Sequence, residues 1–353
     1  MAKIDSFFKY MLQNNASDLH LSVGSKPLIR KHGELEEINY QVLTNDVLKE
    51  FLFEILNDEQ TKRFTDKKDL DFAYEIPNAA RFRANYFLQK RGMGAVFRVI
   101  PDKILSVEEL GLPKQLLKFA DLSRGLVLVT GATGSGKSTT LAALVDYINT
   151  NRKEHILTIE DPIEFVHQNK GCLINQREVI SHTESFASSL RAALREDPDV
   201  ILVGEMRDLE TIELAITAAE TGHLVFGTLH TSSAAKTVDR IIDAFPAGQQ
   251  AQIRTMLSES LKGVVAQQLL KRADKAGRIA AIEILFVNVA IANLIREGKT
   301  FQIPSMIQMA KADGMQLLDQ AITELMMQKI ISPEEAYIKA NDKKSFERFL
   351  KKG

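Results

Sequence analysis

Residues 131–138 read Gly131-Ala132-Thr133-Gly134-Ser135-Gly136-Lys137-Ser138 and match the GxxxxGK[ST] spacing. The glycines let successive N–H groups turn into one concavity that suits phosphate oxygens. Lys137 can reach the β- and γ-phosphates of a nucleotide, Ser138 can ligate Mg²⁺, and the helix that follows presents its positive N-terminus. A chance Gly-rich turn would lack the context found here. An apolar strand, Leu126 to Thr130, comes before the loop, and a helix with Leu141, Leu144, Val145 and Ile148 on one side comes after it. Residues 131–138, together with Thr139, are therefore the candidate nucleotide-binding segment.

Around this motif the chain is built as an α/β protein. Its 353 residues divide into two or three domains at about 150 residues each. Residues 1–100 read as a small mixed unit. Ile4, Phe7, Phe8, Met11 and Leu12 have helical spacing, Leu19 and Leu21 alternate as in a strand, and Thr44 can cap a helix carrying Leu48, Phe51, Leu52, Ile55 and Leu56. Asp69 to Ile76 reads as a strand. Arg81 to Leu88 and Ala95 to Ile100 flank Gln89-Lys90-Arg91-Gly92-Met93-Gly94, a hairpin signal. Residues 101–124 read as a connecting segment with a short helix behind the capping box Ser106-Val107-Glu108-Glu109. From residue 125 to about 280, strands at Leu126–Thr130, Ile156–Ile159, Val200–Val203 and Leu224–Phe226 alternate with helical patterns, which implies a mostly parallel sheet. Residues 281–353 read as helical. Gln316 to Ile330 is amphipathic, and Ser332-Pro333-Glu334-Glu335 is a helix start.

In a P-loop fold the other reactive groups stand at the C-terminal ends of neighbouring strands. One such strand, Asp199 to Val203, ends in Gly204-Glu205, and Glu205 can position Mg²⁺ or its water. Another ends in Glu160-Asp161-Pro162-Ile163-Glu164. One of its three acids, Glu164 first among them, can orient or deprotonate an attacking water. Solvated acids after strands are common, so the P-loop gives these two segments their meaning. His223 and His230 bracket a third strand. His230 can sense a γ-phosphate by hydrogen bonding, although a lone His is more often structural.

Residues 81–98 carry Arg81, Arg83, Lys90, Arg91 and Arg98 and no acid. A turn centred between Lys90 and Arg91 sets Arg83 opposite Arg98, where like charges repel. An anion would settle the pair, and the γ-phosphate of a neighbouring subunit's ATP is one candidate. A solvated strand face or a weak nucleic-acid patch would show the same charges.

Composition mainly excludes. With 45 Lys+Arg against 46 Asp+Glu the formal net charge is -1, which gives no global attraction to nucleic acid or anionic lipid. One cysteine excludes an internal disulfide framework and a Cys-rich zinc site, and fits a reducing compartment. Met1 to Leu12 mixes charges into its apolar positions, unlike a signal peptide, and no apolar run approaches the roughly 18 residues of a membrane helix. The expectation is a cytoplasmic chain without direct membrane insertion.

Taken together, the motifs resemble the secretion-type hexameric ATPases, and within them the retraction motors of type IV pili. The resemblance runs from Ala16-Ser17-Asp18-Leu19-His20-Leu21 through Arg81-Phe82-Arg83 and the P-loop. It continues through Glu160-Asp161-Pro162-Ile163-Glu164, similar to the family's Asp box, and Gly204-Glu205-Met206-Arg207-Asp208, similar to its Walker B segment. Gly222-His223-Leu224 through Leu229-His230-Thr231 is similar to its His box. Residues 290–297 match the AIRNLIRE motif of the retraction branch at seven of eight positions, with Ala292 in place of Arg.

The resemblance implies a PAS-like N-terminal domain, a RecA-like ATPase domain and a helical C-terminal region, assembled as a homohexamer that binds ATP and Mg²⁺. It implies Glu164 as catalytic base, Glu205 near Mg²⁺, and Arg83 and Arg98, with Arg81 a third, reaching the γ-phosphate. The implied work is pilin disassembly and twitching motility, passed to a platform protein in the inner membrane, with no direct nucleic acid. The rivals are an accessory retraction paralogue, a pilus-extension or type II secretion motor, a DNA-translocating ATPase, a small-molecule kinase and a non-hydrolysing scaffold. Extension motors generally carry a longer N-terminal region and a tetracysteine zinc module, neither of which fits one cysteine in 353 residues.

Overall fold

A computed structural model describes residues 2–31, 33–77, 79–100 and 103–350. Pro101 and Asp102, where the expected connecting segment starts, lie outside the described residues. The chain divides into one unit of Met1–Lys103 with Pro162–Phe165, and a second of Ile104–Asp161 with Val166–Gly353.

The first unit is an antiparallel sheet with helices on its apolar face. Its strands are β1 (Asp18–Ser22), β2 (Leu28–Lys31), β3 (Glu34–Glu37), β4 (Asp69–Ile76), β5 (Ala80–Gln89) and β6 (Gly92–Ile100), in the order β3-β2-β1-β6-β5-β4. Alternation explains the long hairpin. In β5, Phe82, Ala84 and Tyr86 are fully buried, while Arg81, Arg83 and Asn85 between them are only half-buried. Phe8 of helix Asp5–Gln13 stacks on Phe82 at 4.3 Å and meets Phe97 edge-on at 4.8 Å. Thr44 caps helix Asn45–Phe53 by accepting the Val47 N–H, as its sequence position predicts. The register pairs Arg83 with Arg98, the pairing expected from the turn centre. Strand β3 is exposed throughout and carries three glutamates, which discourages pairing at that edge.

The second unit is a seven-stranded sheet, β7 (Gly125–Thr130), β8 (His155–Glu160), β9 (Leu173–Glu178), β10 (Val200–Val203), β11 (Leu224–Leu229), β12 (Leu261–Lys271) and β13 (Arg278–Phe286). Its order is β13-β12-β7-β11-β10-β8-β9, parallel except for the β12–β13 pair. All six residues of β7 are buried, which is why it reads as an unbroken apolar run.

Two sequence expectations are corrected here. The capping box forms, with Ser106 Oγ accepting the Glu109 N–H at 3.1 Å and Glu109 Oε2 accepting the Ser106 N–H at 2.8 Å. No helix grows from it, because Gly111 takes φ +67° and Pro113 follows. The helical turns lie later, at Lys114–Leu116 and Leu117–Ala120. Second, β13 runs straight through the boundary expected at residue 280 and pairs with β12 along nine residues. Helices dominate only beyond it: Val289–Arg296, Ile303–Met309, Leu318–Met327, Pro333–Lys339 and Lys343–Glu347. Glu283 of β13 is buried and accepts the N–H groups of Ala234 (2.7 Å) and Leu318 (3.4 Å), the first residues of helices Ala234–Asp243 and Leu318–Met327. Burial pushes its carboxyl up despite those two donors.

Candidate active site

The P-loop joins the end of β7 to helix Lys137–Asn151 and requires its glycines. Gly131, Gly134 and Gly136 take φ of +143°, +75° and +90°, a region that disfavours L side chains. A Cβ on Gly131 would lie 2.3 Å from the Gln267 carbonyl oxygen, and one on Gly136 would lie 2.8 Å from Gln267 Nε2. The loop is thus moulded against β12. Lys137 Nζ donates to the Gly131 carbonyl at 3.0 Å and to the Ala132 carbonyl at 3.3 Å, curling back over the loop. Ser138 and Thr139 are half-buried at the first helical turn.

Beside it, the β10 and β11 ends are locked together. The Thr228 hydroxyl donates to the Gly204 carbonyl at 2.5 Å, and the Met206 N–H donates to the Thr228 carbonyl at 3.0 Å. This brings Glu205 and His230 together, with Glu205 Oε1 2.9 Å from His230 Nε2 and 2.5 Å from Arg207 Nε. Burial pushes the Glu205 carboxyl up, but Arg207 and then His230 outweigh it and hold the group below its ordinary value. Arg207 lies in Gly204-Glu205-Met206-Arg207-Asp208, where nothing in the spacing marks it as the partner of Glu205. The helix that follows starts cleanly, because Asp208 accepts both the Thr211 N–H and the Thr211 hydroxyl at 2.8 Å.

Among the acids at the end of β8 and beyond it, Glu160, the last residue of the strand, is held by Thr158 Oγ1 at 2.7 Å and Gln176 Nε2 at 3.1 Å. Glu164 belongs with the first unit, where Arg83 Nη1 stands 3.6 Å from its Oε1. The opposed arginines are already compensated. Arg83 Nη2 meets Asp71 Oδ2 at 2.7 Å on β4, and Arg98 Nε meets the buried Asp18 Oδ1 at 2.8 Å on β1. The expectation that this pair needs an outside anion is therefore corrected, since carboxylates on the flanking strands supply the charge. Asp18 stands directly opposite Arg98 in the β1–β6 register, and Asp71 lies two residues along β4 from Ala73, the partner of Arg83.

The structure thus gathers the candidates into two sets. The P-loop, Glu205 and His230 lie in the second unit; Glu164, Arg83 and Arg98 lie in the first. Among the described residues no group of three or more His, Cys, Asp or Glu side chains forms a metal cage. Mg²⁺ commonly takes only one or two protein carboxylates and relies on water and substrate phosphates, so Ser138 and Glu205 fit it.

The type II/IV secretion system protein family matches this chain over residues 1–284. The chain belongs to that family. This secretion-family protein is 54% identical over 343 residues to the type IV pilus retraction ATPase PilT of Pseudomonas aeruginosa, covering 97% of this chain and 99% of that one. It is 56% identical over 319 residues to a twitching motility protein of Neisseria gonorrhoeae, covering 90% of this chain and 85% of the other. The type IV pilus ATPase PilU of P. aeruginosa is 38% identical over 351 residues, covering 99% and 92%. A crystal structure of the pilus retraction motor PilT with bound ADP matches with a TM-score of 0.90 at 43% identity, covering 99% of each chain. The secretion-family fold is accordingly an N-terminal α/β domain followed by a RecA-like ATPase domain. Among the described residues no helix is long and apolar enough to cross a membrane.

Proposed function

We propose that this chain is an ATP-hydrolysing motor that powers pilus retraction. The observation that carries the reading is the P-loop, whose glycines are demanded by backbone and by contact, placed beside the Glu205–His230 pair. End-to-end likeness at 54% identity to a retraction ATPase, against 38% to PilU, favours the principal retraction motor over the accessory one.

In this reading residues 131–139 cradle the nucleotide phosphates with backbone N–H groups, and Lys137 leaves its loop carbonyls for the phosphate charge. Mg²⁺, held by Ser138 and through water by Glu205, would offset phosphate charge. Glu164 orients the attacking water. Arg83 and Arg98 exchange their partners Asp71 and Asp18 for the γ-phosphate of a neighbouring subunit's ATP within a homohexamer. Contacts made with the γ-phosphate and lost on hydrolysis drive the cycle, and a platform protein in the inner membrane receives the motion.

Phosphate release tests the chemistry. Lys137→Ala and Glu205→Gln should each abolish turnover, and Arg83→Ala should lower it while leaving nucleotide affinity of the isolated subunit intact. An unchanged rate in the first two sinks the site assignment. A strain lacking the gene should bear pili that do not retract, whereas loss of all surface pili would indicate an extension motor.

A further inference from the structure

We infer that Gln267 of β12 is a positioning residue that sets the aim of the phosphate cradle. The inference rests on the nucleotide-site reading of residues 131–139. Gln267 is 3% exposed and lies 127 residues from one of its partners and 132 from the other. Its Nε2 donates to the Ser135 carbonyl at 2.7 Å, and its Oε1 accepts from the Thr140 hydroxyl at 2.7 Å. The Ser135 oxygen can only accept, so that bond alone fixes which end of the amide faces the loop. Thr140 then secures the other end from the first turn of the following helix.

The consequence follows from peptide geometry. In a planar trans peptide, C=O and N–H point in opposite directions. Tying the Ser135 carbonyl toward the buried amide turns the Gly136 N–H away from it, toward the concavity that receives phosphate. Gly136 makes this possible, because it tolerates φ +90° and because any Cβ there would meet Gln267 Nε2 at 2.8 Å. Strand β12 also presses its main chain on the start of the loop, with the Gln267 carbonyl where a Gly131 side chain would stand. One residue of a neighbouring strand therefore fixes both ends of the cradle by gripping its backbone. Nothing in the GxxxxGK[ST] pattern specifies it.

The test uses the full chain with ADP and ATP as probes. Gln267→Met keeps the volume and removes both hydrogen bonds. Gln267→Glu keeps the shape and sets an oxygen against the Ser135 carbonyl. Expected for Gln267→Met is a roughly tenfold weaker Kd for both nucleotides and a matching rise in KM, with kcat at saturating ATP within about threefold of the parent. The nucleotide-free Tm should fall by a few degrees, because the buried Ser135 carbonyl and Thr140 hydroxyl lose their partner. Gln267→Glu should bind more weakly still. Thr140→Val, the milder change, should weaken binding by a few-fold, and adding it to Gln267→Met should cost nothing more, since one chain of bonds is already broken. Parental affinity in Gln267→Met, or in Thr140→Val if the former does not fold, overturns the inference. So does an affinity loss no larger than that of an equally destabilised variant remote from the loop. Failure of the parent protein itself to bind nucleotide would instead overturn the nucleotide-site reading.

Discussion

Removing the His230 imidazole takes away one of the two groups that hold Glu205 at the end of β10. A hydrogen bond to a charged group is worth about 1.5–3 kcal/mol when well made. His230 is 44% exposed and Arg207 grips the same carboxylate oxygen, so solvent and redundancy leave about 1 kcal/mol. At about 1.4 kcal/mol per factor of ten, His230→Ala should lower kcat about fivefold. The assay is release of inorganic phosphate at saturating ATP and Mg²⁺. His230→Gln keeps an N–H donor and should recover much of the loss. Because Arg207 and His230 share an oxygen, His230→Ala with Arg207→Ala should lose more than the two single changes multiplied together. A parental rate in His230→Ala, with the double variant no slower than Arg207→Ala alone, refutes the positioning argument. A thousandfold loss refutes it in the other direction, by making His230 a group that acts on the phosphate itself.

Two further predictions concern stability. His167 is half-buried, its Nδ1 has no hydrogen-bond partner among the described residues, and desolvation holds its pKa down at about 4 against an ordinary 6.5. The unfolded chain therefore binds the extra proton first as pH falls. The stability is fully present above about 6.5 and is lost toward 4, about 3 kcal/mol in all. A His167→Leu variant should show a flatter fall of Tm between pH 7 and 4, and an unchanged slope would refute the assignment. Asn149, fully buried, accepts the N–H groups of Lys170 (3.0 Å) and Cys172 (3.4 Å) and donates to the Gln168 carbonyl at 2.8 Å. Asn149→Ala orphans three backbone groups and should cost about 3 kcal/mol, a Tm drop of roughly 6–10 °C by circular dichroism. A drop under about 2 °C would show that water replaces the side chain.

Local features of this molecule were open to reading because they depend on neighbours in the chain. The β5–β6 register follows from a turn centred between Lys90 and Arg91 and from alternating residues, and Arg83 opposite Arg98 follows from the register. Thr44 and Ser332 cap their helices for the same reason. What was hidden is non-local. Asp18 reaches Arg98 across 80 residues and Asp71 reaches Arg83, so these two arginines, which look uncompensated within residues 81–98, are neutralised from β1 and β4. Gln267 meets the P-loop only because β12 pairs with β7. Strands β12 and β13 themselves lack a clean alternation, since much of β12 is buried without a period of two, and their pairing appears only in three dimensions. The Ser106 capping box shows the converse: the local signal is real, but Gly111 and Pro113 stop the helix it announces.

Strand β13 also governs how this protein can be shortened. A chain cut at residue 280 keeps only the first three residues of β13. It would leave most of the eleven-residue β12 as a bare edge, with its free N–H and C=O groups inviting a second molecule to pair. It would also take Glu283 away from the start of helix Ala234–Asp243, the helix reached through His230 and Thr231. The C-terminal region is therefore no detachable cassette. Retaining β13 alone is not enough either, because Glu283 would keep one donor and lose the Leu318 N–H. For an expressible ATPase fragment, the useful cut lies beyond helix Leu318–Met327.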